Sequence, residues 1–285
     1  MTQRNQLMQT IGRALFWVLV IVILIYTLFP FYWAIVSSLR TENQIILPIS
    51  RTGILPNLSQ LQNYRSAFSN SDFTGALANS AFVSGSTVLL ALVVGSFAAY
   101  ALGRIEFRGR TVMLYLVLAM TMFPQISILS GLFAIVRDLG LFPSVTSLIF
   151  TYPLITLPFT VWTLTTFFRQ LPGELEQAAL VDGATPFQTF YMILLPLTAP
   201  ALVTTGLLAF ISAWNEYLFA LTFANFPGVR TVPVAIALFS GQVARQEPIA
   251  EVMAASVVVT VPLIALVLIF QRRIVEGLTA GAVKG

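Results

Sequence analysis

The sequence ELEQAALVDGATPFQTFYMILLP, residues 174–196, has residue types and a spacing that suit recognition by another protein. Pro172 can stand at a first helical position, which places Glu174 and Glu176 in the first turn, where the helix dipole favours carboxylates. Gly183, directly after Asp182, predicts the end of this helix, because glycine readily adopts the left-handed C-cap conformation. We therefore expect a short helix that ends in a tight bend.

A second short helix follows that bend. Thr185 predicts the N-cap, Pro186 the first helical position, and Gln188 the partner in a capping box. Pro196 predicts the end of the helix. Apolar side chains recur at three- to four-residue spacing, which indicates one apolar face: Phe187, Phe190, Tyr191 and Leu194.

Several chemistries are excluded by composition. The chain has no cysteine and no histidine, so it lacks the side chains most often used for zinc binding and for general base catalysis. A P-loop needs Gly-Lys-Ser/Thr, whereas the only lysine, Lys284, follows Val283. Nor does the sequence offer a plausible nucleophile–base pair. We expect a protein that is not an enzyme, has no metal site and binds no cofactor itself.

The elements that position the polar stretch are apolar. Hydrophobic residues make up 57% of the 285 residues, charged residues 9%, and the mean hydropathy is +0.87. Each of six uncharged runs can hold the roughly 20 apolar residues of a membrane-crossing helix, whereas a β-barrel would show alternating segments of about ten residues. These runs are 14–39, 73–103, 111–136, 139–168, 183–215 and 252–271. The prediction is an all-α polytopic membrane protein with about six transmembrane helices, the fifth beginning near Leu197.

The distribution of basic residues predicts the orientation. With both termini inside, inner segments hold nine basic residues and outer segments six, and the clusters GRIEFRGR and QRR flank predicted membrane helices. We expect an N-in/C-in topology with a cytoplasmic polar loop, defined here as residues 170–196. The predicted parts are a cytoplasmic N-terminus (1–13), a transmembrane domain (14–271) with outer loops at 37–74 and 225–251, and a cytoplasmic tail (272–285).

The spacing of the polar loop resembles the EAA loop of ABC-importer permeases: E-A-A, three residues, Gly, nine residues, I-x-L-P. Here Gln177, Ala178 and Ala179 are followed by Gly183 and by ILLP at 193–196. Gln177 replaces the glutamate of the pattern, which removes one charge at that position. Two alanines leave a small surface that a partner can approach closely.

The resemblance extends over nearly the whole chain. Four segments are similar to sugar permeases: LQNYRSAF, NSAFVSGSTVLLALVVGSFAAYALGRIEFRGR, SAWNEYLFAL and RRIVEGLTAGAVKG. The last two are especially similar to the smaller permease of maltose and trehalose importers. The resemblance implies the type I importer permease fold in a bacterial inner membrane. It also implies a second homologous permease, two ATPase subunits that carry ATP and Mg, and an extracytoplasmic sugar-binding protein. ATP-driven closure of the ATPases then switches the permease between inward- and outward-facing states.

The resemblance assigns residues to two contacts with the ATPases. The polar loop contributes Glu174, Glu176, Gln177, Ala178, Ala179, Asp182, Gly183, Pro186 and Phe187. The tail contributes Gly281, Lys284 and Gly285. Trehalose or maltose is the first expectation for the substrate; glucosylglycerol, another oligosaccharide and glycerol 3-phosphate remain alternatives.

Polar residues within predicted membrane helices are the candidates for the sugar pathway. Trp214 could stack on a sugar face and Asn215 could bind hydroxyls. Glu216 lies about 18 residues after Thr198, ~27 Å along a helix, where a solvated or salt-bridged role is also expected. Weaker candidates, for which a helix–helix hydrogen bond is the main alternative, are Asn79, Gln125 and Tyr152.

One other class of protein stays open at this point, an ion- or proton-coupled secondary transporter. Such a transporter needs ionisable groups within the membrane. Glu216 is the only acidic residue within a predicted span. Prolines 124, 153 and 158 predict kinks in the third and fourth spans, which can line a cavity or serve packing.

Overall fold

The computed structural model describes residues 2–48, 51, 53–58, 60–239 and 248–280, and within them it contains helices and no strand. The predicted tail contacts Gly281, Lys284 and Gly285 lie outside the described residues. The helices are α1 Thr2–Ser38, α2 Glu42–Ile46, α3 Gln62–Ser69, α4 Ser71–Arg104, α5 Arg110–Met120, α6 Gln125–Asp138, α7 Val145–Thr151, α8 Pro153–Gln170, α9 Glu174–Val181, α10 Pro186–Gln188, a π-helix Thr189–Leu194, α11 Leu195–Leu197, α12 Ala199–Trp214, α13 Leu218–Phe223, α14 Val232–Ala237 and α15 Ile249–Ala280.

Four helical segments, one of them formed by α7 and α8 together, are long and apolar enough to cross a membrane, with mean hydropathies between 1.4 and 2.8. They are Thr10–Ser38, Ser71–Arg104, Val145–Gln170 and Ile249–Arg273. Two bent pairs raise the number to six if each pair counts as one span: Arg110–Met120 with Gln125–Asp138, and Pro186–Leu197 with Ala199–Trp214. The predicted all-α polytopic architecture is confirmed.

The third predicted span is broken where the sequence contains Pro124. Helices α5 and α6 meet at 95°, and Pro124, with φ −62° and ψ 124°, is the N-cap of α6. A proline disfavours helical conformation in the residue before it, which explains why α5 ends ahead of it. In the fourth span Pro153 stands at the first position of α8 and Pro158 lies inside that helix. The kink predicted at Pro124 is therefore a complete break.

The chain forms two compact units, and the larger comprises Ser71–Leu238 and Val261–Gly285. Its centre is α4, which packs most extensively against α8 and α12. Three small residues of α4 spaced four apart, Gly95, Ala99 and Gly103, are buried against side chains of α8. Small residues on one face let helix backbones approach closely, as is usual between membrane helices.

The smaller unit comprises Met1–Asn70 and Phe239–Thr260. The side-chain amide of Asn63 donates to the carbonyls of Ser38 and Arg40 at 2.7 and 2.8 Å, which connects α3 to the end of α1. Glu42 accepts from the backbone N–H of Ala250 at 2.8 Å. Side chains along the apolar part of α1 are largely exposed, so in a membrane this surface is available to lipid or to another subunit.

Candidate functional site

The first helix of the polar loop begins two residues later than the position of Pro172 indicated. Gly173 is the N-cap, with φ −68° and ψ −23°, and Glu174 is the first helical residue. The carbonyl of Gly173 accepts from the N–H of Gln177 at 3.2 Å, so Gly173 takes the capping role. Pro172 thus precedes the cap and is not the first helical residue, while Glu174 and Glu176 lie in the first turn as predicted.

The end of α9 is a Schellman motif, as Gly183 predicted. Gly183 has φ +80°, a left-handed conformation that glycine adopts without a steric cost. The N–H of Ala184 donates to the carbonyl of Ala179 at 2.9 Å, and that of Gly183 to the carbonyl of Leu180 at 3.1 Å. These two bonds satisfy carbonyls at the helix end and fix the direction in which the chain leaves it.

The second loop helix begins with the predicted capping box. Thr185 accepts from the N–H of Gln188 at 3.3 Å, and the side chain of Gln188 accepts from the N–H of Thr185 at 2.8 Å. Pro196 does not end the helix, contrary to the prediction. A π-helical stretch precedes it, the α-helix continues to Leu197, and the 75° bend follows at Thr198. The wider π turn lies where a proline ring would otherwise clash with the carbonyl four residues earlier.

Aromatic side chains attach this second helix to the membrane helices. The ring of Phe190 lies 5.0 Å from the rings of Phe97 and Tyr100 on α4 and 6.1 Å from that of Phe168 on α8. Phe190 is buried, with 3% of its surface exposed. Of the predicted apolar face, Phe190 and Leu194 are therefore buried, whereas Phe187 and Tyr191 are exposed.

An arginine attaches the first helix. Arg104, the last residue of α4, donates from Nε to Oε2 of Glu176 at 3.0 Å and from Nη1 to the carbonyl of Leu171 at 2.8 Å. Glu176 therefore points towards the membrane helices. The sequence analysis counted Arg104 only in a basic cluster; its position in the last turn of a helix was the available signal, because cations there stabilise free carbonyls.

Several residues of α9, including the last two, are exposed, and some of them are apolar. Gln177 and Ala178 are exposed, and so are Leu180 (71%) and Val181 (87%), whereas Ala179 is buried. Phe187 on α10 is 60% exposed. Glu174, Asp182, Gly183 and Pro186 are also exposed. The sequence analysis did not single out Leu180 and Val181, because apolar residues in a short amphipathic helix usually indicate its buried face.

The candidates for the sugar pathway separate into different environments. Trp214 is buried (3% exposed), and its ring stacks on Phe210 with centroids 5.5 Å apart. Asn215 is exposed at the end of α12, where its side-chain amide donates to the carbonyl of Ile211 at 2.9 Å. Asn215 is therefore accessible, whereas Trp214 is buried and its indole N–H has no hydrogen-bond partner among the described residues.

Glu216 differs from the expectation of a solvated or salt-bridged carboxylate. It is 8% exposed, and its two oxygens accept from the backbone N–H groups of Phe219 at 2.8 Å and Ala220 at 3.0 Å. The chain turns after Trp214, so Glu216 does not continue α12 and instead satisfies the first turn of α13. Its charge is compensated by backbone donors.

Asn79 and Gln125 occupy separate places, whereas the Tyr152 hydroxyl lies beside the Glu216 carboxylate. The amide of Asn79 donates to the carbonyls of Gly228 and Arg230, both at 3.0 Å. Tyr152 is 1% exposed in an apolar cluster. Gln125 lines a cavity of about 930 Å³ beside the break between α5 and α6, where most lining residues are apolar. These three candidates do not form one site with Asn215 in the contacts of the described residues.

The family described as "Binding-protein-dependent transport system inner membrane component" matches residues 91–279. The chain is 42% identical over 275 residues to the trehalose transport system permease protein SugB of Mycobacterium tuberculosis, covering 96% of this chain and 98% of that protein. It is also 42% identical over 279 residues to the trehalose/maltose transport system permease protein MalG of Thermococcus litoralis, covering 97% and 99%.

Two further similarities extend over the chain. The sulfoquinovosyl glycerol transport system permease protein SmoH of Agrobacterium fabrum is 39% identical over 275 residues, covering 96% of this chain and 95% of that protein. A chain of a bacterial ABC transporter involved in the import of the acidic polysaccharide alginate superposes with a TM-score of 0.80 at 21% identity, covering 95% of this chain and 98% of that chain. At that identity the superposition supports the fold alone.

Proposed function

The chain belongs to the family of binding-protein-dependent transport system inner membrane components, and we propose that it is the permease subunit of an ATP-binding-cassette importer for a disaccharide or a similar sugar. The family membership supports the class of transporter. The names of the three relatives support the sugar, since each of them is a permease for a glycoside. Trehalose or maltose is the proposed substrate, because both relatives at 42% identity carry those sugars in their names.

The observation that carries the proposed mechanism is that the polar loop is both attached and exposed. It is attached to α4 and α8 through Arg104, Glu176 and Phe190. Its helix α9 ends in the exposed apolar residues Leu180 and Val181. A surface that is exposed, apolar and firmly attached to the membrane helices suits a partner whose movement must reach those helices.

We assign that partner as the ATPase of the importer. The exposed residues Gln177, Ala178, Leu180, Val181 and Phe187 provide a contact surface of small and apolar groups. Glu174, Asp182, Gly183 and Pro186 lie exposed around it. ATP-driven closure of two ATPase subunits, which carry ATP and Mg, then moves the loop and the membrane helices together. The tail residues Gly281, Lys284 and Gly285 are proposed to add a second contact with the ATPases.

The remaining partners and the topology follow from the same assignment. The chain pairs with a second homologous permease in a bacterial inner membrane, and an extracytoplasmic binding protein delivers the sugar. The polar loop and both termini face the cytoplasm, where the ATPases lie, in keeping with the basic clusters that flank the membrane helices. Asn215 is the proposed sugar contact of this subunit, because its amide is accessible at the end of α12.

The test is sugar-stimulated ATP hydrolysis by the complete complex. The chain is purified with the second permease, the ATPase and the binding protein, and reconstituted into vesicles with trehalose, maltose, glucosylglycerol, sulfoquinovosyl glycerol or glycerol 3-phosphate. We expect trehalose or maltose to stimulate hydrolysis and to be taken up only with ATP. Uptake that needs a sodium or proton gradient and no ATP would support a secondary transporter and contradict the proposal.

A further inference from the structure

Arg104 lies where α4, α8 and the polar loop meet, and we propose that it is the positioning residue that fixes the angle between α9 and the membrane helices. Its Nη1 donates to the carbonyls of Leu171 at 2.8 Å and of Phe168 at 3.3 Å. Its Nε donates to Glu176 at 3.0 Å, and Nη2 contacts the same carboxylate oxygen. One guanidinium thus binds groups before and after the link between α8 and α9. This inference rests on the proposed function.

A second arginine makes the reciprocal contact, from α8 to α4. Arg169, in the last turn of α8, donates to the carbonyl of Leu102, in the last turn of α4, at 3.1 Å. Each helix therefore supplies an arginine to the carbonyl end of the other. Two helix ends of the same polarity repel each other, and the two cations offset that repulsion while satisfying carbonyls that lack helical partners. The C-terminal ends of α4 and α8 are consequently held together by these arginine contacts.

The link between α8 and α9 does not by itself set the direction of α9. It consists of residues 171–173, LPG, and Leu171 and Leu175 pack against the cluster that contains Phe168 and Phe190. Such apolar contacts hold α9 close but are non-directional. Glycine permits many backbone conformations, so the link alone does not determine the direction of α9. The guanidinium group is planar and its donors have fixed directions, so it sets the position of Glu176 relative to Leu171.

Burial makes this ion pair stronger than a surface pair. The side chain of Arg104 is 11% exposed and that of Glu176 is 30% exposed. Charge-assisted bonds shielded from water are roughly twice as strong as neutral ones, whereas exposed ion pairs contribute little. The exposed pair Arg137–Asp138, with side chains 63% and 70% exposed, is the weaker case in the same protein.

The ion pair also separates the roles of two neighbouring residues. Successive helical positions point about 100° apart, and here Glu176 binds Arg104 while Gln177 is exposed. Glu176 therefore transmits movement from α9 to α4, and Gln177 remains available to the ATPase. If the ion pair is removed, the ATPases can move α9 without moving α4 and α8 to the same extent.

The experiment compares Glu176→Gln, Arg104→Gln and the double variant in the complete complex in vesicles. The measured quantity is ATP hydrolysed per sugar transported, together with the subunit content. We expect Glu176→Gln to raise this ratio about tenfold, the effect of losing one charge-assisted hydrogen bond. Arg104→Gln should raise it at least as much, because it also removes the bonds to Leu171 and Phe168. The double variant should be no worse than Arg104→Gln, because both changes remove the same interaction. The exposed residues Glu106 and Arg108 provide controls, Glu106→Gln and Arg108→Gln, which should keep the normal ratio.

The outcomes distinguish this inference from the proposed function. If the unmodified complex takes up no sugar with ATP, the proposed function fails. If the unmodified complex transports and both single variants keep its ratio, the role of Arg104 is overturned. A double variant whose loss equals the product of the single losses would also overturn it. Loss of the ATPases from the Glu176→Gln complex would make Glu176 a docking residue and would equally contradict the inference.

Discussion

Gly95 on α4 lies so close to Thr160 on α8 that a Cβ at Gly95 would stand 2.7 Å from the Thr160 methyl carbon. Thr160 is fully buried, and its hydroxyl donates to the carbonyl of Thr156 at 2.8 Å, so its side chain has little freedom to move. The close approach of α4 and α8 therefore depends on the missing side chain at Gly95.

We predict that Gly95→Ala destabilises the permease by about 1–3 kcal/mol relative to Gly85→Ala on the same helix. Alanine has the higher helix propensity in both variants, and no atom lies within 4 Å of a Cβ at Gly85. The comparison therefore isolates the overpacking. Thermal melting of the purified complex measures it. Thr160→Ser in the Gly95→Ala background removes the clashing methyl group and should restore the melting temperature; equal melting of all variants would contradict the close contact.

Much of the polar loop could be predicted from its sequence because its signals are local. Gly183 and the Thr185–Gln188 capping box depend on backbone bonds within a few residues, and both have the predicted geometry. The interaction between Arg104 and Glu176 spans 72 positions in the sequence, so no local pattern indicates it. The burial of Glu216 was missed because the prediction continued α12 as a straight helix, whereas the chain turns after Trp214.

The Schellman motif gives a prediction for Gly183. Gly183→Val should reduce retention of the ATPase in the purified complex and reduce sugar-stimulated hydrolysis, because a β-branched residue strongly disfavours φ +80°. Gly183→Asn should retain both, since asparagine tolerates the left-handed conformation. No atom lies within 4 Å of a Cβ at this position, so backbone conformation alone separates the variants. Full uptake by an intact Gly183→Val complex would contradict the assignment of the loop as the docking surface.

Glu216→Gln should destabilise the permease by about 1–3 kcal/mol. The two carboxylate oxygens each accept a backbone N–H, and an amide nitrogen cannot replace either acceptor. One buried N–H then lacks its partner. Asp138→Asn is the control, because that carboxylate is exposed and its loss should cost little. Identical thermal melting of the Glu216→Gln and Asp138→Asn variants would show that the capping bonds contribute no stability.

Asn215→Ala tests whether this subunit contacts the sugar. The Asn215 amide bonds only within its own helix in the described contacts, to Ile211, whose carbonyl also accepts from the backbone N–H of Asn215 at 3.1 Å. The carbonyl of Ile211 keeps this backbone donor when the side chain is removed, so assembly and basal hydrolysis should remain unchanged. We expect kcat/KM for uptake to fall. Asn79→Ala, which removes two bonds to the loop at Gly228 and Arg230, should lower the melting temperature instead. Unchanged uptake by Asn215→Ala would place the sugar contacts on the second permease.

Gln177 provides the last prediction, because it replaces the glutamate of the EAA pattern on the exposed side of α9. A glutamine retains one acceptor oxygen and adds a donor, so a contact with the ATPase should persist in weaker form. Glu176 cannot take over that contact, because it points about 100° away and its carboxylate binds Arg104. We predict that Gln177→Glu is tolerated and strengthens retention of the ATPase, whereas Gln177→Leu separates hydrolysis from transport. Hydrolysis and uptake are measured in the same vesicles, and wild-type rates for both in Gln177→Leu would exclude this side chain from the interface.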